Sequence, residues 1–290
     1  MMQPAVRKGR PRKLVGRPAD NVAPEYLCKP WCPRRALGAH VEISAVIGPT
    51  DRAKETVVTF QISEPRANRV LGLLPRSDFL DIGPLLTPMS LDQGIILHHP
   101  GDEVEQVWFP HEGMVSLLAV MADGRAVETA TVGLEGVVGG MAGLGLHKAL
   151  TRAVVQLPLV ASRISAAAFR KVVQSHDSMR NLIVRANDAL LGQVQITAAC
   201  NALHPIEARL ARWILQSSDR TRGDEIPLTQ ELLSQMLGVT RSSVSEVASK
   251  LQAAGLIRYI RGNIQITNRP ALEKATCECY LAIRGVSNLR

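Results

Sequence analysis

Residues 228–267 constrain this chain more than any other stretch. Leu228-Thr229-Gln230-Glu231 opens a helix, with Thr229 supplying an N-cap hydroxyl and Glu231 in the first turn, where the helix dipole favours a carboxylate. Leu232, Leu233, Met236 and Leu237 make the buried face of that helix, and Gly238-Val239-Thr240 breaks it. Gly238 permits the tight turn and Thr240 caps the next helix. There Val244, Val247, Ala248 and Leu251 recur at the i, i+3, i+4, i+7 spacing of one helical face. Two short helices, a glycine-containing turn and a polar outer face predict a helix-turn-helix. Leu256–Arg261 and Ile264–Thr267 then read as strands joined by a two-residue Gly262-Asn263 turn, which adds a wing.

The polar face of the second helix carries small hydroxyls and one arginine in place of a Lys–Glu ladder. Small side chains let a recognition helix lie deep in the major groove. Arg241 has the fork to reach guanine O6 and N7. Ser242, Ser243 and Ser245 suit base edges or phosphates, and Glu246 suits a cytosine amine. Arg258 and Arg261 on the hairpin suit phosphates. The expected DNA contacts are Thr229, Gln230, Thr240, Arg241, Ser242, Ser243, Ser245, Glu246, Ser249, Lys250, Arg258 and Arg261. An ordinary αα-hairpin is the competing reading, and the wing argues against it.

The chain has 290 residues, enough for two domains at about 150 residues each. Its 46% hydrophobic and 21% charged residues exclude a wholly disordered or fibrous chain. Five cysteines do not make a disulfide scaffold, so a reducing, cytoplasmic setting is expected. No apolar run reaches about 18 residues and no signal-peptide h-region opens the chain, so no membrane partner is expected. The net charge of +8 is unevenly spread: residues 1–60 carry +6, residues 205–290 carry +4, and the stretch between them carries −2. Basic ends around a slightly acidic middle fit a sensing or assembly core with nucleic-acid contacts elsewhere.

Residues 1–65 read as a basic, disordered tail. Lys8-Gly9-Arg10-Pro11-Arg12-Lys13 and Gly16-Arg17-Pro18 resemble AT-hooks, which fit narrow minor grooves, although a solvated tail accounts for them more simply. Globular patterning begins only near Val57–Phe60, so translation starting further downstream is a second expectation, which an N-terminal mass tests. Cys28 and Cys32 form a Cys-x₃-Cys pair, but no four-cysteine spacing appears. Cys200 stands apart from Cys277 and Cys279, and free thiols are expected, with no metal site.

Residues 66–177 read as a β roll. Two short helices, Asn68–Leu74 and Phe79–Ile82, precede apolar segments at Ile95–Leu97, Val104–Phe109, Met114–Val120, Val127–Val132 and Ala153–Leu157. Gly94, Gly101, Gly113, Gly124 and Gly133 punctuate them at turn spacing, and Asp123-Gly124 is the strongest hairpin signal. Closure into a roll covers the strand edges. Residues 178–204 read as one long helix. Its stripe of Leu182, Ala186, Ala189, Leu190, Gln193, Ile196, Cys200 and Leu203 can pack on the roll, on a second copy of the chain, or on both. Residues 205–290 complete the winged helix-turn-helix. The expected fold class is α+β: an N-terminal roll (a double-stranded β-helix), a long dimerisation helix and a C-terminal winged helix-turn-helix.

Roll, long helix and winged helix-turn-helix in this order resemble the Crp/Fnr family of bacterial transcription regulators. LTQELLSQMLGVTRSSVSEVASKLQAAGLI (228–257) and VETATVGLEGVVGG (127–140) carry the resemblance, which spans about residues 66–275. It implies a cyclic-nucleotide-binding-like roll and a homodimer on a roughly palindromic operator, with half-sites about 34 Å apart. It also implies RNA polymerase as a partner if the protein activates, and a small-molecule or redox signal. Cyclic-AMP binders of the family hold the ligand with a Gly-Glu pair and a later Arg-Ser. This chain has Gly139-Gly140-Met141 and then His147-Lys148-Ala149-Leu150-Thr151-Arg152. The matching effector positions are Gly139, Gly140, Met141, Lys148, Ala149 and Arg152. Lys148 or Arg152 offers a lone cation without the family's fork, so no cyclic nucleotide or other cofactor is expected. The reading helix also departs from the cyclic-AMP-type Arg-Glu-Thr-Val-x-Arg, keeping only its first arginine as Arg241.

No catalysis is expected. Cupin enzymes share β rolls, and His98, His99, Glu103, Glu105 and His111 are metal-ligand types, but their spacing is not a cupin's. A ligand-binding module without DNA function is the other alternative, and it leaves the serine-rich face and the wing unexplained.

Overall fold

The computed structural model describes residues 67–221 and 225–287. The basic tail, its Gly-Arg-Pro motifs and the Cys28/Cys32 pair lie outside the described residues.

Helices α1 (Arg69–Gly72) and α2 (Arg76–Ile82) lead into the roll. The buried Asn68 side chain caps α1 by accepting from the N–H groups of Val70 and Leu71. Its amide donates to the carbonyls of Pro110 and Gly136, each at 2.9 Å, pinning the entry to the sheet. The roll consists of β1 (Thr87–Leu91), β2 (Ile96–His98), β3 (Gln106–Val120), β4 (Ala126–Val132) and β5 (Arg152–Ser165). The order is β1-β5-β3-β4, all antiparallel, with β2 also on β5.

Strands β3 and β5 carry the sheet, paired from Gln106↔Ser165 to Leu118↔Arg152 with register shifts around residues 110–115. Such bulges bend and twist a strand, which is what lets a sheet roll. They also correct the reading of Val104–Phe109 and Met114–Val120 as separate strands: Gly113 is a bulge inside one strand, not a turn. Its φ is +86°, and a Cβ there would lie 2.1 Å from the Pro158 carbonyl oxygen, so only glycine fits. The hairpin at Asp123-Gly124 forms, but only Gly124 takes positive φ. Asp123 contributes its carboxylate, which accepts from the Arg125 N–H at 3.0 Å. Strand β1, whose Pro88 suits an edge position, was not expected, nor was α3 (Ala166–Ser175), capped by Ser165.

Helix α4 (Asp177–Leu203) matches the predicted long helix to within a residue at each end. Its expected stripe is largely covered by the same chain. Leu182 joins a core with Phe109 and Phe169, whose rings meet edge-on at 5.7 Å. The buried Gln193 amide accepts from the Thr131 hydroxyl at 2.9 Å and donates to its carbonyl at 3.0 Å, which explains a polar residue in the stripe. Cys200 is fully buried, whereas Leu203 is exposed.

The remainder is α5 (Ile206–Ser218), β6 (Glu225–Pro227), α6 (Gln230–Leu237), α7 (Arg241–Ala253), β7 (Ile257–Ile260), β8 (Asn263–Ile266), α8 (Arg269–Ala275) and α9 (Cys279–Val286). Trp213, Leu233, Val244 and Leu251 share one core with Met114, Leu118 and Leu157 of the roll. Two buried polar nodes stitch the same joint. Trp213 Nε1 donates to Glu128 at 2.7 Å and the Ser116 hydroxyl donates to the other Glu128 oxygen. The Arg220 guanidinium pairs with Glu135, both largely buried.

Candidate nucleic-acid interface and effector cavity

The reading unit is built from local signals. The Thr229 hydroxyl accepts from the Leu232 N–H at 3.2 Å, Gly238 closes α6 with φ +63°, and the Thr240 hydroxyl accepts from the Ser243 N–H at 3.3 Å. The buried Arg209 reaches across from α5 to donate to the Leu237 carbonyl at the end of α6. Leu233, Met236, Leu237, Val244, Val247, Ala248 and Leu251 are buried as expected, while Leu232 is only partly so.

The opposite face is open. Gln230, Arg241, Ser242, Glu246, Ser249 and Lys250 are exposed, whereas Ser243 and Ser245 are half-buried. Thr240 bonds to the hydroxyls of Ser242 and Ser243, each at 2.9 Å, and Ser245 donates to the Arg241 carbonyl at 3.0 Å. These serines are thus engaged with the helix's own backbone and cap. Arg241 reaches back to Glu231 at 2.6 Å, with both side chains more than half exposed. Glu246 meets Lys250 at 2.7 Å one turn on, which lowers the carboxyl's pKa and raises the ammonium's.

The wing is shifted by one residue from the sequence reading. Ile260 pairs with Asn263, so the turn residues are Arg261 and Gly262, at φ +49° and +82°. Two positive φ values define a type I′ turn, whose twist matches the flanking strands. Register decides this: Ile257, Tyr259 and Ile264 must keep one face toward the core. Arg261 therefore sits at the wing tip and Arg258 projects, exposed, from β7. Strand β6 adds a third member, in the order β6-β8-β7.

A second feature lies between the roll and α4: a cavity of about 420 Å³. Gly139, Gly140, Met141, Lys148 and Ala149 line it together with Thr129, Leu190 and other groups, whereas Arg152, on β5, does not. Gly139 takes φ +77° and begins the 3₁₀ turn Gly140–Leu144. Glu135 also borders the cavity, but its carboxylate is committed to Arg220.

His98, Glu103 and Glu105 border one small cavity, but the five cupin-type residues make no group of metal-ligand spacing among the described residues. His111 accepts from the Asn68 N–H at 3.2 Å and shares a hydrogen bond with Ser162 at 2.8 Å. Burial pushes its pKa down to about 4, which keeps the ring neutral. Among the described residues, one group has metal-ligand spacing: Cys200, His204, Cys277 and Cys279. Sequence spacing did not reveal it, because Cys200 and Cys277 stand 77 positions apart yet their sulfurs are 3.6 Å apart. Burial raises the Cys277 and Cys279 thiols, the latter to about 12. It acts on Cys200 too, but there the Arg212 guanidinium and neighbouring hydrogen bonds prevail and hold the thiol below its ordinary value.

A β roll joined through one helix to an exposed winged helix-turn-helix defines the architecture of a two-part DNA-binding regulator. A profile described as cyclic nucleotide-binding domain matches residues 88–176, and one described as Crp-like helix-turn-helix domain matches residues 208–275. Together they take in more than half of the chain, which belongs to the Crp/Fnr family of transcription regulators. FixK2 from Bradyrhizobium japonicum superimposes with a TM-score of 0.56 at 16% identity, over 66% of this chain and 98% of that one. The c-di-GMP-responsive global regulator CLP of Xanthomonas campestris gives 0.54 at 17%, over 67% and 100%. A Crp/Fnr-family regulator described as putative, from Eubacterium rectale, gives 0.57 at 15%, over 72% and 98%. At these identities the likeness is one of fold. No curated protein sequence matches the chain.

Proposed function

We propose that this regulator binds a roughly palindromic DNA operator as a homodimer, without catalysis, in the cytoplasm. The observation that carries the reading is the exposed, Thr240-capped polar face of α7, flanked by Arg258 and Arg261 on the wing. Arg241 reads a guanine by exchanging its exposed Glu231 partner for base-edge acceptors. The exchange costs little, since exposed ion pairs contribute about 0–1 kcal/mol. The wing arginines and Lys250 contact phosphates and set the salt dependence. No described helix is long and apolar enough to cross a membrane.

Because the inner stripe of α4 is covered by its own chain, the dimer seam falls on the outer face. There Val184, Leu191 and Ala198 recur every seven residues and are exposed. The cavity beside Gly139–Met141 and Lys148 is the effector site. Lys148 is a point charge and not a bidentate fork, so cyclic AMP is not the effector. An activator of this build would also contact RNA polymerase.

Selection of bound DNA from a random duplex pool tests the reading. An enriched two-fold palindrome supports it. Failure to enrich any sequence, repeated with cell extract as a source of effector, contradicts it. A thermal-shift titration with cyclic AMP is expected to leave the melting temperature unchanged.

A further inference from the structure

Helix α4 ends on Cys200 and His204, one turn apart on one face. Opposite them, Cys277 and Glu278 lie in the short connection between α8 and α9, and Cys279 opens α9. The four potential donor atoms, three Sγ and one imidazole nitrogen, lie within 4.8 Å of one another. Cys200 Sγ to Cys277 Sγ is 3.6 Å and Cys279 Sγ to His204 Nδ1 is 3.5 Å. A tetrahedral zinc site with Zn–S of about 2.3 Å and Zn–N of about 2.0 Å has edges of about 3.5–3.8 Å. The two close contacts have the length of two edges of such a tetrahedron.

Two further observations point to a cation. The far nitrogen of the imidazole, Nε2 of His204, lies 3.3 Å from the Glu278 carboxylate. A proton held there leaves the lone pair on Nδ1 facing the sulfurs, the carboxylate–histidine–metal relay of zinc sites. Beside the thiols lie two buried guanidiniums, Arg209 and Arg212, each with an Nε lacking a hydrogen-bond partner. Neither forms an ion pair with a carboxylate among the described residues. Three thiolates, a neutral imidazole and one divalent cation sum to one negative charge, which these guanidiniums would offset. Ile196 and Ala208 pack against the sulfurs and shield them from water.

We propose that Cys200, His204, Cys277 and Cys279 bind one zinc ion in a closed, structural Cys₃His site that clamps the end of the long helix to the C-terminal helix pair. On binding, the three thiols release their protons to solvent and four coordinate bonds form, with no change of oxidation state. Soft thiolate donors select zinc over magnesium or calcium.

The test is the zinc content of the full-length protein purified under reducing conditions, followed by zinc competition against a chromogenic chelator and by cobalt substitution. One zinc per chain is expected, and the cobalt form should show tetrahedral d–d bands and a thiolate-to-metal charge-transfer band. Cys277→Ser and Cys279→Ser should abolish stoichiometric binding, while Glu278→Gln, which leaves all four ligands in place, should weaken it about 10–100-fold. Cys28→Ser/Cys32→Ser should keep full binding. Circular dichroism on each variant separates lost metal from lost fold. Metal-free protein whose three thiols stay fully reactive in added zinc would overturn the proposal. Binding that survives Cys277→Ser/Cys279→Ser, or that vanishes in Cys28→Ser/Cys32→Ser, would overturn it too.

Discussion

The joint between roll and reader differs from the reading face in how each handles charge. At the joint, Arg220–Glu135 and the Glu128–Trp213–Ser116 cluster are buried, and each group depends on its neighbours. On the reading face, Arg241–Glu231 and Lys250–Glu246 stand in water. Buried polar groups lock a geometry because removing one strands the other. Exposed pairs are exchangeable, which suits a surface that must trade its own partners for a ligand's. Changes at the joint should therefore act on stability, and changes on the face should act on DNA.

The largest expected effect is Glu135→Ala. It leaves the Arg220 guanidinium buried without its carboxylate and should cost about 3–5 kcal/mol in urea unfolding. A loss below about 1 kcal/mol would remove the contrast. Next comes Glu128. Burial raises its pKa from 4.5 to about 7, against the smaller opposing pull of the Ser116 and Trp213 hydrogen bonds. Between those two values the folded state holds more protons than the unfolded chain. Stability from this group is therefore full below about pH 4.5 and falls as pH rises toward 7, by roughly 3 kcal/mol in all. Glu128→Gln should flatten that window relative to wild type in urea melts followed by circular dichroism. An unchanged slope would mean that Glu128 does not titrate there.

On the reading face, Arg258→Ala or Arg261→Ala should lower the salt-dependence slope of DNA binding by about 1 while leaving the preferred sequence intact. A changed sequence preference would make the wing a base reader. The smallest effect belongs to Glu231→Gln, which frees Arg241 and should move stability by less than about 0.5 kcal/mol.

What could be read from the residues follows the range of the interactions involved. The helix-turn-helix was legible because caps, turn glycine and apolar period lie within a few residues of one another. Thr229, Gly238 and Thr240 act locally as expected. The wing turn was off by one because Gly262-Asn263 and Arg261-Gly262 both offer a glycine, and only the pairing of Ile260 with Asn263 decides. Strand β3 was split because a glycine at positive φ marks a turn and a bulge alike, and the close approach of Pro158 lies 45 residues on. The stripe of α4 was legible, but a roll and a second copy fitted it equally until the fold brought Phe109 and Thr131 against it. The cysteine–histidine cluster was invisible, because its members come from distant segments. Of the six expected effector positions, Arg152 alone does not line the cavity, although the adjacent Thr151 does.

The most direct test of the account is the affinity of Arg241→Ala for the selected operator and for its single-base variants, measured at one salt concentration. The account predicts a loss of about 1–3 kcal/mol and relaxed preference at one position in each half-site, with the fold intact. Equal affinity of wild type and variant for every sequence would contradict it.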